Sequence, residues 1–84
     1  MRKIYILVKV NYYAEVLLLE VFDTLEEAQQ AMRIDFLCEK NIMKEDETLD
    51  AESIDEMTAY VAAYADCQEL YSWEIFEREI PKEV

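Results

Sequence analysis

The sequence predicts an α+β domain with the element order ββαββ, in which an antiparallel sheet carries one helix packed on one face. Three observations lead to this fold class. Two segments rich in β-branched and aromatic residues open the chain, a helix with a recognisable start follows, and two strand-like segments come after it. Residues 1–84 are 54% hydrophobic with a net charge of −12, so we expect a single small acidic domain with enough apolar mass for a core.

The first two strands are indicated by alternation at period two. Residues 3–10 (KIYILVKV) place four β-branched side chains on one face: Ile4, Ile6, Val8 and Val10. The other face of this strand then carries Tyr5, Leu7 and Lys9. Residues 11–15 (NYYAE) are expected to turn. Residues 16–22 (VLLLEVF) then form the second strand, in which Glu20 marks the more solvated face.

The helix is predicted over residues 23–40 (DTLEEAQQAMRIDFLCEK). Thr24 and Glu27 have the spacing of a capping box, in which the hydroxyl accepts from the Glu27 amide and the carboxylate reaches back to the Thr24 amide. The residues that step by three or four and form the buried stripe are Leu25, Ala28, Met32 and Phe36. Lys40 suits the negative end of the helix dipole.

The second half of the chain is less regular. Residues 41–57 show no clear period and are expected to connect the helix to a second hairpin. Residues 58–64 (TAYVAAY) fit either a strand or an alanine-favoured helix. We favour the strand because residues 71–80 (YSWEIFEREI) are strand-like, so that residues 65–69 would join the two. Pro81 ends the last strand.

One helix covers only one face of a sheet, so we expect the other face to carry apolar side chains that need a partner. The candidates for this face are Tyr5, Leu7, Val16, Leu18, Phe22, Tyr60, Tyr64 and Trp73. Either a homodimer through the sheet or a docked partner would cover them. In the second case Trp73, Tyr60 and Tyr5 would serve as aromatic anchors.

The composition excludes several function classes. A strongly negative chain repels nucleic acid and anionic membranes and attracts basic proteins, so we expect no direct binding of DNA, RNA or a membrane. The chain has no glycine and therefore no glycine-rich phosphate loop. It has no histidine, the usual general base near neutral pH. Alternation along strands explains Glu20, Glu74 and Glu77 as solvated acids, and we expect neither catalysis nor a cofactor.

Two cysteines, Cys38 and Cys67, are too few for a disulfide scaffold. They are expected to be free thiols packed as small hydrophobes, although a single bridge between them stays open as an alternative. Lys9 interrupts the opening apolar run, so no secretory signal is expected, and no run is long enough for a membrane span. A cytoplasmic location is therefore expected.

Residues 41–57 (NIMKEDETLDAESIDEM) carry a net charge of −6, half that of the whole chain. The acids of this stretch are Glu45, Asp46, Glu47, Asp50, Glu52, Asp55 and Glu56. A calcium loop beginning at Asp46 fails, because Ala51 stands where glycine is needed and Met57 stands where a bidentate glutamate is needed. We therefore expect no dedicated metal site here.

Two interpretations of this acidic stretch remain. Either it is a solvated connector between the helix and the second hairpin, or it forms a negative surface that binds a basic partner. Duplex DNA carries about one charge per 1.7 Å of its axis, and a protein with carboxylates at comparable density can occupy a basic nucleic-acid channel. Asp66, Glu69, Glu74, Glu77 and Glu79 could extend such a surface.

Three segments resemble short proteins of phages and other bacterial mobile elements. They are the opening IYILVKV, the junction VFDTLEEAQQAM and the closing YSWEIFEREI. Some small acidic proteins of that kind inhibit bacterial defence, including anti-CRISPR proteins that mimic DNA. The resemblance implies a similar role in the cytoplasm of a bacterial host, and it carries over no individual residue.

The leading hypothesis is therefore a non-enzymatic inhibitor of a nucleic-acid-binding enzyme, such as a CRISPR effector. The seven acids of residues 41–57 would bind Lys and Arg in the groove of that enzyme and exclude its natural ligand. The alternative is an adaptor or dimer that binds through an aromatic sheet face. A small enzyme or a metal buffer is a third class, and it would show a cation-dependent melting temperature.

Overall fold

The computed structural model describes residues 2–63 and 69–81, and it confirms the α+β class with one helix on one face of an antiparallel sheet. The elements are β1 (Arg2–Asn11), β2 (Val16–Phe22), α1 (Leu25–Glu45), β3 (Leu49–Ile54), β4 (Thr58–Ala63) and β5 (Leu70–Ile80). The sheet has five strands in the order β2-β1-β5-β4-β3. The connector expected at residues 41–57 thus contains an additional strand, and residues 58–63 are the strand that we favoured. The predictions for Tyr64, Asp66 and Cys67 lie outside the described residues.

The helix begins where the capping box predicts. The Glu27 amide donates to the Thr24 hydroxyl at 3.2 Å, and that hydroxyl in turn donates to the Glu27 carboxylate at 3.0 Å. The capping box predicts that this carboxylate accepts from the Thr24 amide. It accepts from the Thr24 hydroxyl instead. The helix also runs past Lys40 to Glu45, because Met43 extends the buried stripe by two more turns.

The helix packs on the odd-numbered side chains of β1, a surface that we call the helix face. Leu7, Val61, Trp73 and Ile75 are buried there against Met32 and Phe36 of α1. Trp73 meets Phe36 edge to face, with ring centroids 5.8 Å apart. Five residues predicted for the uncovered face lie on the helix face instead, namely Tyr5, Leu7, Leu18, Phe22 and Trp73.

The opposite surface, the open face, is uncovered in the part of the chain that the structure describes. Cross-strand partners in a sheet point to the same side, so the register assigns its members. They include Ile4, Ile6, Val8, Val10, Val16, Leu19, Val21, Ser53, Thr58, Tyr60, Ser72, Glu74, Phe76 and Arg78. An apolar uncovered face was expected, but of its predicted members within the described residues only Val16 and Tyr60 are found there.

A bulge in β2 changes the predicted faces of that strand. Lys9 pairs with Leu18 while Val10 pairs with Val16, so Leu17 is an additional residue without a partner on β1. Val16 therefore shares the open face with Leu19 and Val21. Strict alternation would have placed Leu17 there instead.

Candidate functional site

The seven predicted acids lie along the outer edge of the sheet. We call Glu45, Asp46, Glu47, Asp50, Glu52, Asp55 and Glu56 the acidic edge. They occupy the end of α1, the strand β3 and the turn between β3 and β4. Because β3 is the last strand in the sheet order, no further strand covers this side within the described residues. Most of the acidic stretch therefore belongs to the end of α1 and to the edge strand β3.

The end of α1 fixes the first three acids. The Glu47 amide donates to the Lys44 carbonyl at 3.2 Å, and the Thr48 amide donates to the Met43 carbonyl at 2.9 Å. These two bonds are the Schellman pattern, in which the residue after the cap takes a left-handed conformation. Glu47 does so with φ of 58°, at a position where glycine is the common choice. The chain has no glycine, so Glu47 takes the conformation with a larger side chain.

The strand β3 holds the next two acids. Its residues alternate between half-buried and exposed, and the half-buried ones are Leu49, Ala51 and Ser53. Asp50 is an additional residue at a bulge, because Leu49 pairs with Ala63 and Ala51 pairs with Ala62. A bulge with charged side chains discourages pairing with another strand. This edge therefore presents charge and not a template for a sixth strand.

The turn after β3 holds the last two acids. The Asp55 amide donates to the Thr58 carbonyl at 2.7 Å, which closes the turn. The Gln29 side chain, on α1, donates to the Glu56 carbonyl at 3.0 Å. This contact ties the turn to the helix, so both ends of the acidic edge are anchored to α1.

The charges of the acidic edge are mostly uncompensated. Glu52 pairs with Lys40 at 2.7 Å. In the two described ranges, no ion pair involves the other six acids, and all six are exposed. Lys44 is the only base in residues 41–57. The acids of β5 do not join this edge, because β5 is the central strand of the sheet and Glu77 pairs with Lys3.

A second charged cluster was missed from the sequence. Lys9 lies on the helix face, where its ammonium contacts Asp35 at 2.9 Å and Glu39 at 3.0 Å. The indole of Trp73 donates to Asp35 at 2.8 Å, and the ammonium lies 5.0 Å from the centroid of the Tyr71 ring. The only sign of this cluster in the sequence is a lone lysine within an apolar strand, together with two acids one helical turn apart.

The cluster around Lys9 links α1 to the sheet through two ion pairs. Burial lowers the pKa of Lys9, but hydrogen bonds and charges from Asp35 and Glu39 outweigh it, so that the pKa is raised. A nucleophilic or basic lysine needs a lowered pKa. The pKa of the Tyr71 hydroxyl is also raised, by burial first and then by the charges of Glu39 and Glu69, against the opposing effect of Lys9. Both groups hold their protons at neutral pH, and Lys9 joins α1 to the sheet.

The aromatic anchors expected on the open face are largely absent from it. Trp73 is 2% exposed and Tyr5 is half-buried, both on the helix face. Tyr60 alone of the three lies on the open face, and it is 42% exposed. Cys38 is exposed and unbridged, and so it is not packed as a small hydrophobe.

Comparisons with known proteins identify no relative of this chain. Searches against protein-family models, curated proteins and solved structures found no match.

Among the described residues, no group of three or more His, Cys, Asp or Glu side chains is placed to hold a metal ion. The one described helix, α1, does not have the combination of length and hydropathy that a membrane crossing requires.

Proposed function

We propose that this protein is a non-enzymatic inhibitor that binds the basic groove of a nucleic-acid-binding enzyme through the acidic edge. The observation that supports this most is the set of six exposed acids without ion pairs on this edge, where only the seventh, Glu52, is paired, with Lys40. Elsewhere in the described chain four of eleven acids form ion pairs, whereas one of the seven at this edge does. Charges left uncompensated on one side attract a basic partner and raise its association rate.

The density of charge indicates what the edge could replace. β3 has six residues and spans about 20 Å. One strand of duplex DNA places about six phosphates along that length, at about 3.4 Å for each charge. β3 holds two of the seven carboxylates and the other five lie at its two ends, so seven charges over at least this length compare at most with one strand of a duplex and not with both. A groove that follows a single strand or one side of a duplex is the target that fits best.

The rigidity of the edge also favours this role. Its acids are held by a helix end, an edge strand and a closed turn, and the turn is bonded to α1. Less conformational entropy is lost when such a surface docks than when a disordered acidic tail does. We propose that the partner is a CRISPR effector or a similar defence enzyme in the cytoplasm of a bacterial host.

Competition with labelled DNA tests the proposal. Purified effectors of several CRISPR types would be loaded with guide RNA and with fluorescent target DNA, and the protein would be titrated against them. We expect it to release or exclude the DNA. The apparent affinity should fall steeply as salt rises from about 50 mM to about 300 mM, because counterions are displaced on binding.

A matched pair of variants locates the surface. The edge variant neutralises four unpaired acids, and the control neutralises four exposed acids elsewhere. The edge variant is Glu45→Gln, Asp50→Asn, Asp55→Asn and Glu56→Gln. The control is Glu20→Gln, Glu26→Gln, Glu69→Gln and Glu79→Gln. We expect at least about a tenfold loss of inhibition in the edge variant only. Equal loss of inhibition in both variants would mean that net charge alone causes the binding. Unchanged inhibition by the edge variant would exclude the acidic edge as the binding surface.

A further inference from the structure

The open face carries an apolar strip along its two longest strands. On β1 and β5 this strip contains Ile4, Ile6, Val8, Val10 and Phe76. Beside it on β2, Leu19 is 61% exposed and Val21 is 56% exposed. A surface of this kind on a small domain indicates a contact with another protein.

The charges on this strip have a symmetric arrangement. Glu74 and Arg78 both lie on the open face of β5, two residues before and two residues after Phe76. Each is therefore about 7 Å from Phe76 along the strand. In the described structure neither side chain forms an ion pair, although Arg78 lies over the Phe76 ring at 5.5 Å and donates to the Glu77 carbonyl. An acid and a base at equal distances from a central aromatic residue form a self-complementary pattern.

We propose that a second copy of this chain packs face to face on the open face, about a two-fold axis at Phe76. This axis runs across the strands between the two sheets. It brings Phe76 against its own copy, Glu74 opposite Arg78 of the other copy, and Arg78 opposite the other Glu74. The contact is isologous, as in most homodimers, and the two sheets pack as in an aligned sandwich about 10 Å apart.

The register also staggers the acidic edges of the two copies along the strand direction. β4 pairs with β5 only over Leu70–Glu74, so β4 and β3 lie on one side of Phe76 along the strand direction. The two-fold axis sends the same strands of the other copy to the opposite side. The acidic edges then extend in opposite directions along the strands on the same side of the dimer. The turn with Asp55 and Glu56, beside Ile75, is the part of each edge that comes closest to the other copy. The polar open-face positions Ser53 on β3 and Thr58 on β4 stay outside the overlap.

The area of the overlap predicts a weak dimer. A strip three strands wide and ten residues long measures about 14 Å by about 30 Å, which is on the order of 400 Å² in projection for each copy. Stable complexes bury about 800 Å² for each partner, so this contact falls in the class of weak and concentration-dependent interfaces. We therefore expect dissociation constants in the micromolar range, and measurements should extend from about 1 μM to about 1 mM.

Charge exchange at Glu74 and Arg78 tests the axis directly. Sedimentation equilibrium would give the dissociation constant of the wild type, Glu74→Arg, Arg78→Glu and the double variant. Each single change places like charges opposite each other twice in the dimer, so we expect dimerisation to weaken about tenfold. The double variant restores opposite charges, and its dissociation constant should return to within about threefold of the wild type. Recovery in the double variant cannot result from a folding defect.

A second pair of variants tests the apolar strip. Phe76→Lys places two lysines together at the axis and should abolish the dimer. Ile34→Lys is the control, since Ile34 is an apolar side chain of the helix that is 62% exposed. It should leave the dissociation constant unchanged. A monomeric wild type at about 1 mM, or a dimer insensitive to all changes at positions 74, 76 and 78, would overturn the proposal.

Discussion

Lys9 joins the helix to the sheet through one charge that two acids share. Its side chain is 11% exposed and contacts Asp35 and Glu39, while Trp73 donates to the same Asp35. A largely buried ion pair is weak evidence for net stability, but removal of one partner leaves the other charges uncompensated. Removal of one member of the cluster should therefore change the stability of the fold more than the intact cluster contributes to it.

Lys9→Met tests this dependence. The methionine keeps the apolar stem but leaves Asp35 and Glu39 close together without a cation. We expect the free energy of unfolding to fall by about 2 kcal/mol in urea denaturation. Lys3→Met is the control, because the Lys3–Glu77 pair at 3.8 Å is about half exposed on both sides and should contribute little. Equal losses in the two variants would contradict the special role of Lys9.

The pH dependence of this loss follows from the raised pKa of Lys9. The folded state holds the proton more tightly than the unfolded state, so the stabilisation is complete below the unfolded pKa, near 10.5. It is lost as the pH rises through the folded pKa. The stability difference between wild type and Lys9→Met should therefore be constant from about pH 7 to about pH 10 and shrink above that. A difference that grows in alkali would contradict the assignment.

At the scale of the element, the end of α1 contains a strained residue. Glu47 adopts a left-handed conformation, which costs a non-glycine residue about 1 kcal/mol. Glu47→Gly should therefore raise the free energy of unfolding by about 0.5–1 kcal/mol, measured by thermal or urea denaturation. Lys44→Gly, inside the last helical turn, should lower it by about 1 kcal/mol. If both glycines destabilise the protein, the strain is absent.

The elements with a local signal were predictable from the sequence. The capping box placed the helix start at Thr24, and β-branched alternation located β1, β2 and β5 within a residue at each end. β3 was missed because its residues, LDAESI, have low strand propensity, and pairing with β4 overrides that preference. The faces of β1 were ambiguous because both are apolar. Lys9 lies on the covered face because acids that belong to α1 neutralise it.

The candidate site was predictable as a set of residues and not as a shape. Charge counting identified the seven acids, since a local excess of charge needs no knowledge of the fold. Their arrangement along one edge depends on the position of β3 at the end of the sheet, which is set by long-range pairing. The open-face pattern of Glu74, Phe76 and Arg78 likewise required the register between β1 and β5.

At the scale of the whole molecule, the net charge of −12 opposes folding. Salt screens this repulsion, so we expect the melting temperature to rise by several degrees between about 20 mM and about 500 mM sodium chloride. The edge variant should melt higher than the wild type at low salt and show a weaker salt dependence. A melting temperature that falls as salt is added would mean that attractive ion pairs outweigh the repulsion of the acidic edge.

The pairing of β1 with β5 determines when this chain can fold. The centre of the sheet joins residues near the start of the sequence to residues near its end, with Arg2 opposite Ile80. During synthesis, β1 and β2 leave the ribosome long before β5, and until then β1 has one bare edge. Closing so long a loop is slow, and unpaired strands in the meantime are prone to aggregate. Folding therefore follows translation, and a ribosome that stops before β5 releases a chain without the middle of its sheet.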